Sequence, residues 1–197
     1  MSRLFGDSHR QLQRRFDTER LADRIESLLV RDRLTDENRS FIEAADMFFL
    51  ATADAAGRPN CSYKGGDPGF VRVLDPGTLV FPSYDGNGMY LSTGNAVENP
   101  NVGLLFIDFA NRKRLRVNGS AALVAADSVD PPYAEAQFLV RVSVREVFPN
   151  CPRYIHRMRL EEVSACSPAP GHQPPEPAWK QMDAFRDYLP KPPSPPR

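Results

Sequence analysis

The segment Phe138-Leu139-Val140-Arg141-Val142-Ser143-Val144-Arg145-Glu146-Val147-Phe148 decides the fold class. Phe138, Val140, Val142 and Val144 alternate with Leu139, Arg141, Ser143 and Arg145. Successive side chains of a strand point to opposite faces, so this period of two marks an antiparallel strand with one face on a core. Working outward, similar β-favouring runs cover Arg114–Val124 and Val102–Phe109, then Thr78–Phe81 and Phe70–Leu74 on either side of the turn Asp75-Pro76-Gly77. From Met47, the run Phe48-Phe49-Leu50-Ala51-Thr52 ends at the turn residues Ala55-Ala56-Gly57-Arg58-Pro59 and so opens a hairpin. About six short strands with tight turns, and one helix among them over Met89–Val97, predict a mainly β fold: a small closed or nearly closed antiparallel barrel.

Helices flank the strands. Leu12, Phe16, Leu21, Ile25, Leu28 and Leu29 fall mainly on one helical face, which predicts a surface helix with one buried stripe. A second helix is expected after Thr35 as N-cap, with Phe41, Ile42 and Ala45 turned inward. At the other end, twelve of the 19 prolines lie from Pro149 onward. Ser167 to Ala178 therefore reads as an extended linker, because each proline removes a donor and disfavours helix before it. Beyond it, Trp179, Met182, Phe185 and Leu189 recur at three or four residues and predict a short amphipathic helix, followed by a frayed end over 191–197. The expected organisation is a helical extension over 1–45, a barrel over 46–160, and a Pro-rich linker with a short helix over 161–197.

Charge and composition exclude several classes. Lys+Arg and Asp+Glu number 25 each, so no positive excess is present to hold a nucleic-acid backbone or an acidic membrane. The N-terminus lacks the apolar stretch of a secretory signal and no run is long enough to span a bilayer, which predicts a cytoplasmic protein. Cys61, Cys151 and Cys166 are odd in number and far apart, and read as reduced thiols; Cys151, in a turn between Asn150 and Pro152, reads by default as a small buried residue, with a reactive thiol as the alternative. His9, His156 and His172 show no metal-ligand spacing. The motifs of serine hydrolases, P-loop nucleotidases and Rossmann domains are missing.

Three stretches carry candidate sites. Ser62-Tyr63-Lys64-Gly65-Gly66-Asp67-Pro68-Gly69 lies between strands, and its glycines, hydroxyl and lysine suit a phosphate; tight turns require the same glycines, so both readings stand. Phe81-Pro82-Ser83-Tyr84-Asp85-Gly86-Asn87-Gly88-Met89-Tyr90 leaves a strand and enters a helix, where free amides suit an anion, although a plain connection also fits. Arg114 and Arg116 share one strand face. They are either bidentate ligands for an anion or the solvated face of an edge strand.

Taken in order, several pieces carry a resemblance: Phe49-Leu50-Ala51-Thr52-Ala53-Asp54 with Gly57-Arg58-Pro59; Ser62 to Val73; Thr78-Leu79-Val80-Phe81-Pro82; Gly86-Asn87 with Asn95; Asn99-Pro100-Asn101-Val102-Gly103-Leu104-Leu105-Phe106; and Leu115-Arg116-Val117-Asn118-Gly119. Residues from about 46 to 155 resemble the pyridoxamine 5'-phosphate oxidase-related family of flavin mononucleotide (FMN) binding split barrels. The tail Pro149 to Ile155 is similar to a subgroup of flavin-nucleotide-binding members.

The resemblance implies a six-stranded, Greek-key split barrel that forms a homodimer with FMN between subunits. It implies FMN contacts from Ser62, Tyr63, Lys64, Gly65, Phe81, Pro82, Ser83, Gly86, Asn87, Asn95, Arg114 and Arg116. The oxidases carry an Arg-Lys pair at the positions aligned with Gly88 and Met89. Neither charge is present, so vitamin B6 oxidation is not implied, and Lys64, with Arg114 or Arg116, is left to face the phosphate. The function implied is an FMN-dependent oxidoreductase acting on a small molecule with a nicotinamide reductant. The alternatives are a flavin carrier or sensor without turnover, or a barrel for deazaflavin or haem.

Overall fold

The computed structural model describes residues 2–169, 171, 172 and 174–190. Helices α1 (Asp7–Arg15), α2 (Glu19–Leu29) and α3 (Asp36–Glu43) precede strands β1 (Met47–Ala53), β2 (Pro59–Gly65), β3 (Arg72–Asp75) and β4 (Thr78–Ser83). Helix α4 (Leu91–Glu98) then leads into β5 (Asn101–Asp108), β6 (Lys113–Val124) and β7 (Phe138–Pro149). A 3-10 turn over Ala178–Gln181 and a single helical turn, α5 (Asp183–Arg186), follow. No helix among the described residues is long and apolar enough to cross a membrane.

The strands form one antiparallel sheet in the order β2-β1-β5-β6-β7-β4-β3. In that order β1 and β4 are far apart, yet the Phe48 ring of β1 lies 5.0 Å from Phe81 of β4 and 5.1 Å from Phe106 of β5. A flat sheet could not bring these rings together, so the sheet is curled around them. Its two end strands, β2 and β3, do not pair, and this seam is the split of the barrel. Phe48, Phe106, Leu79, Val117 and Val142 are wholly buried at the centre. Ile42 of α3 joins the same core. Thr35 starts that helix as expected: its hydroxyl accepts from Asn38 N–H at 3.2 Å, while Asn38 Oδ1 accepts from Thr35 N–H.

Several expectations are corrected. The sheet has seven strands rather than six, because Pro59–Gly65, read partly as a glycine-rich loop, pairs along its whole length with β1. The N-terminal helix is two helices, broken where Asp17 adopts φ 51°. Neither helix has a buried residue, so the expected stripe is uncovered in this chain. The expected C-terminal helix is a 3-10 turn and one helical turn, also without buried residues, because the Pro-rich approach leaves too short a stretch to form a longer amphipathic face. Residues 191–197 lie outside the described residues. Cys151 is exposed, not buried, because the chain leaves the sheet at Pro149, before the turn that carries it.

Gly119 has a strict steric reason. It sits at the register shift between β6 and β7, where a Cβ would lie 2.3 Å from the Ser143 carbonyl oxygen.

Replacing Phe48 with alanine should remove the ring shared by β1, β4 and β5 and cost about 3–5 kcal/mol, as expected for a fully buried phenylalanine. Urea unfolding of wild type and Phe48→Ala checks this. A loss below about 1 kcal/mol would mean that the rings are not packed as described.

Candidate functional site

Alternation along β2 places Asn60, Ser62 and Lys64 on one face and Cys61 and Tyr63 on the other. The first face meets the start of α4. The Ser62 and Ser92 hydroxyls are 2.9 Å apart, and Asn60 Nδ2 donates to Ser92 Oγ at 3.1 Å. Helix α4 is fixed in place by Asn95, whose Nδ2 donates to buried Thr52 Oγ1 of β1 at 3.2 Å. Its start is fixed by Tyr90, which adopts the left-handed φ of 48° for an N-cap. That conformation is costly for a non-glycine residue. It is held by the Tyr90 hydroxyl donating to Gln137 Oε1 at 3.0 Å and by the neighbouring Phe138 ring.

The first intrahelical bond of α4 runs from Gly94 N–H to Tyr90 O at 2.7 Å. The N–H groups of Leu91, Ser92 and Thr93 precede it, as at any helix start. Together with Ser83, Tyr84 and the loop through Gly86 and Asn87, these elements enclose a cavity of about 230 Å³. Asn87 Oδ1 accepts from Met89 N–H at 3.0 Å and shapes the loop. Burial pulls the Lys64 ammonium below the ordinary lysine range, and it forms no ion pair among the described residues. Burial likewise raises the Tyr84 phenol, which stays protonated and neutral at physiological pH.

The residues expected from sequence divide between this cavity and elsewhere. Ser62, Lys64, Ser83, Gly86 and Asn87 line it. Tyr63 lies on the opposite, exposed face of β2 beside Phe49, and its own ring covers Gly65. Phe81 and Pro82 are buried, Phe81 within the core. Asn95 holds the helix to β1. Arg114 donates through Nη2 to the Cys151 carbonyl at 2.8 Å, and Arg116 is exposed on the outer face of β6; neither lines the cavity.

Sequence reasoning missed Asn60, Ser92 and Thr93. Asn60 could have been found by extending the alternation of Ser62 and Lys64 back by two residues. Ser92 and Thr93 were hidden by placing the helix start at Met89 rather than Leu91, which moved them out of the first turn.

The site can hold a phosphate ester. It offers neutral hydroxyl and amide donors, helix-start N–H groups, and one desolvated cation without a carboxylate. Histidine is missing from its lining, and the described residues contain no cluster able to hold a metal.

Residues 34–165 match the family model described as pyridoxamine 5'-phosphate oxidase. The chain belongs to this family. Among solved structures, it is similar to HupZ of Group A Streptococcus at 19% identity, covering 59% of this chain and 93% of that one with a TM-score of 0.47. An FMN-binding protein of Syntrophomonas wolfei shares 13% identity, covering 71% and 97% of the two chains, TM-score 0.45. HutZ of Vibrio cholerae, a heme storage protein, shares 20% identity, covering 59% and 94%, TM-score 0.41. A comparison with curated proteins finds no match.

The state of Lys64 has a stability consequence in this family member. The unfolded chain keeps the ammonium protonated up to about pH 10.4, while the folded chain releases that proton earlier. More protons are then bound in the unfolded state, so the protein without ligand should gain stability as pH rises from the lowered value toward 10.4. Lys64→Met should raise the urea midpoint of the protein without ligand at neutral pH and flatten that alkaline gain. An unchanged midpoint would show that the ammonium is solvated.

Proposed function

We propose that this protein is an FMN-binding flavoprotein and an oxidoreductase, with two FMN sites completed by homodimerisation. The observation that carries this reading is the cradle of Ser62, Ser92 and Asn60 at the start of α4, with the desolvated, unpaired Lys64 on the same face of β2. When bound, the flavin supplies hydride and electron transfer through its ring, chemistry for which the protein need only orient the partners. The hydroxyls and helix-start amides donate to the phosphate oxygens, Lys64 balances their charge, and Tyr84 and the Gly86–Asn87 loop wall the space beside them. The substrate is a small molecule, and a nicotinamide cofactor is the reductant.

A cavity of about 230 Å³ is smaller than the roughly 300–1,000 Å³ of sites that bury whole small ligands. The cradle therefore holds the phosphate end, and a second copy covers the ring. The rim of the cavity suits that copy: Met89, Tyr90 and Leu91 line it and are 61%, 49% and 54% exposed. A symmetric pair of such faces is the commonest route to a dimer.

Purified protein should carry or take up one FMN per chain, seen in its absorption spectrum and by mass analysis of the released ligand, and NADH or NADPH should bleach the flavin. Bound haem, or no flavin uptake, would end the reading; flavin that binds but is not reduced would leave a carrier. Sedimentation should give a dimer, and a monomer that binds FMN tightly would contradict the completed site.

Lys64→Ala should weaken FMN by about 1.5–3 kcal/mol, the size of a charge-assisted hydrogen bond, and riboflavin, which lacks the phosphate, much less. Titration of both flavins checks this. Equal losses would assign Lys64 to the ring or the fold.

A further inference from the structure

A second cavity, of about 460 Å³, shares no lining residue with the cradle. It lies between α3 and the hairpin turn that joins β5 to β6, and the chain leaving β7 forms its remaining side. The volume falls within the range of small-molecule sites. Phe41, Leu115, Pro149 and Pro152 give it an apolar wall, and Leu115 is only 4% exposed.

Beside that wall stand three consecutive cations, Arg112, Lys113 and Arg114. None of them takes part in an ion pair among the described residues. The turn that carries them is fixed, because the Asp108 carboxylate accepts from Asn111 N–H at 2.9 Å and from Asn111 Nδ2 at 2.7 Å. Arg114 is held by Nη2 donating to the Cys151 carbonyl at 2.8 Å. Arg153, farther along that chain, lies over the Tyr154 ring and does not line the cavity.

The other polar groups add one negative charge and one donor. Glu37 supplies the charge. Asn38 Oδ1 accepts from Thr35 N–H, which leaves the Asn38 amide NH2 to donate, while the Ser40 hydroxyl is spent on the Asp36 carbonyl at 2.9 Å. Arg114 Nε and Asn150 Oδ1 are buried beyond the reach of a ligand.

Charge then selects the ligand class. Glu37 offsets one cation, and Asp108, opposite Lys113 across the hairpin, offsets a second. One positive charge is left over beside an apolar surface. A small inorganic anion would leave that surface uncovered, a dianion would bring a second charge against Glu37, and an alcohol or amine would leave the cation unmatched.

We propose that this cavity binds a monocarboxylate with an apolar chain. The carboxylate sits among Arg112, Lys113 and Arg114 with the Asn38 amide as a further donor, and the chain packs on Phe41, Leu115 and the two prolines.

Full-length protein as purified is titrated by calorimetry with octanoate, acetate, 1-octanol, octylamine and, at about pH 8, the octyl phosphate dianion, with amide chemical shifts to locate the site. Octanoate should saturate one site per chain, at least about tenfold tighter than each of the others, and should shift the amides of residues 37–41, 112–115 and 150–151. Arg112 and Lys113 are exposed, so their joint replacement by glutamine is tolerated by the fold. It should weaken octanoate about tenfold and leave 1-octanol unchanged. Glu37→Gln should tighten octyl phosphate about tenfold and octanoate less, a gain that misfolding does not produce. The proposal is overturned by no saturation at about 10 mM octanoate, by 1-octanol or octyl phosphate binding as tightly as octanoate, or by unchanged octanoate affinity in the double variant. It is equally overturned by no gain in Glu37→Gln, or by shifts confined to the cradle or to α1 and α2.

Discussion

The contact of the Phe48 ring with Phe81 and Phe106 can form only if strands distant in the hydrogen-bonding order face one another, and this requirement bends the whole sheet. Burial of large aromatic rings is the strongest single contribution available to a domain of this size. Once the sheet curls, β2 becomes an end strand with one face turned toward α4, and the unpaired seam beside it leaves room for the segment from Ser83 to Tyr90. The candidate cradle is thus a by-product of closing the core. Its polar groups come from strands and a helix that the core has already fixed.

At the cradle, stability and binding pull in opposite directions. A half-buried lysine without a carboxylate is a poor element of a folded chain, and a left-handed tyrosine at a helix start is another. Such local costs are common where a site is shaped in advance for a ligand. The glycines have a different job. Gly66 lies under the Phe70 ring, where a Cβ would come within 2.6 Å of it, so the glycine-rich stretch serves packing as much as any phosphate.

The two cavities differ in chemistry. The one at α4 is lined mainly by neutral donors with a single cation, which suits a phosphate ester. The one beside α3 sets Arg112, Lys113 and Arg114 and the Glu37 carboxylate beside Phe41 and Leu115. They are built from different parts of the sheet, so a ligand in one need not compete with a ligand in the other.

Sequence by itself determined six of the seven strands, the Thr35 cap, the mainly β class and the family, because these rest on alternation, turn residues and short-range capping that any local stretch displays. It also marked Ser62 and Lys64. It could not show that Tyr63 and Gly65 face away from them, that Arg114 turns to the Cys151 carbonyl, or that Ser92 meets Ser62 across 30 residues of chain. Nor could it show that the apolar stripe of Leu12, Phe16, Leu21 and Ile25 stays uncovered. Those outcomes depend on how the sheet curls and where helices land on it. Curl is set by the sum of many long-range contacts, and no local pattern records that sum.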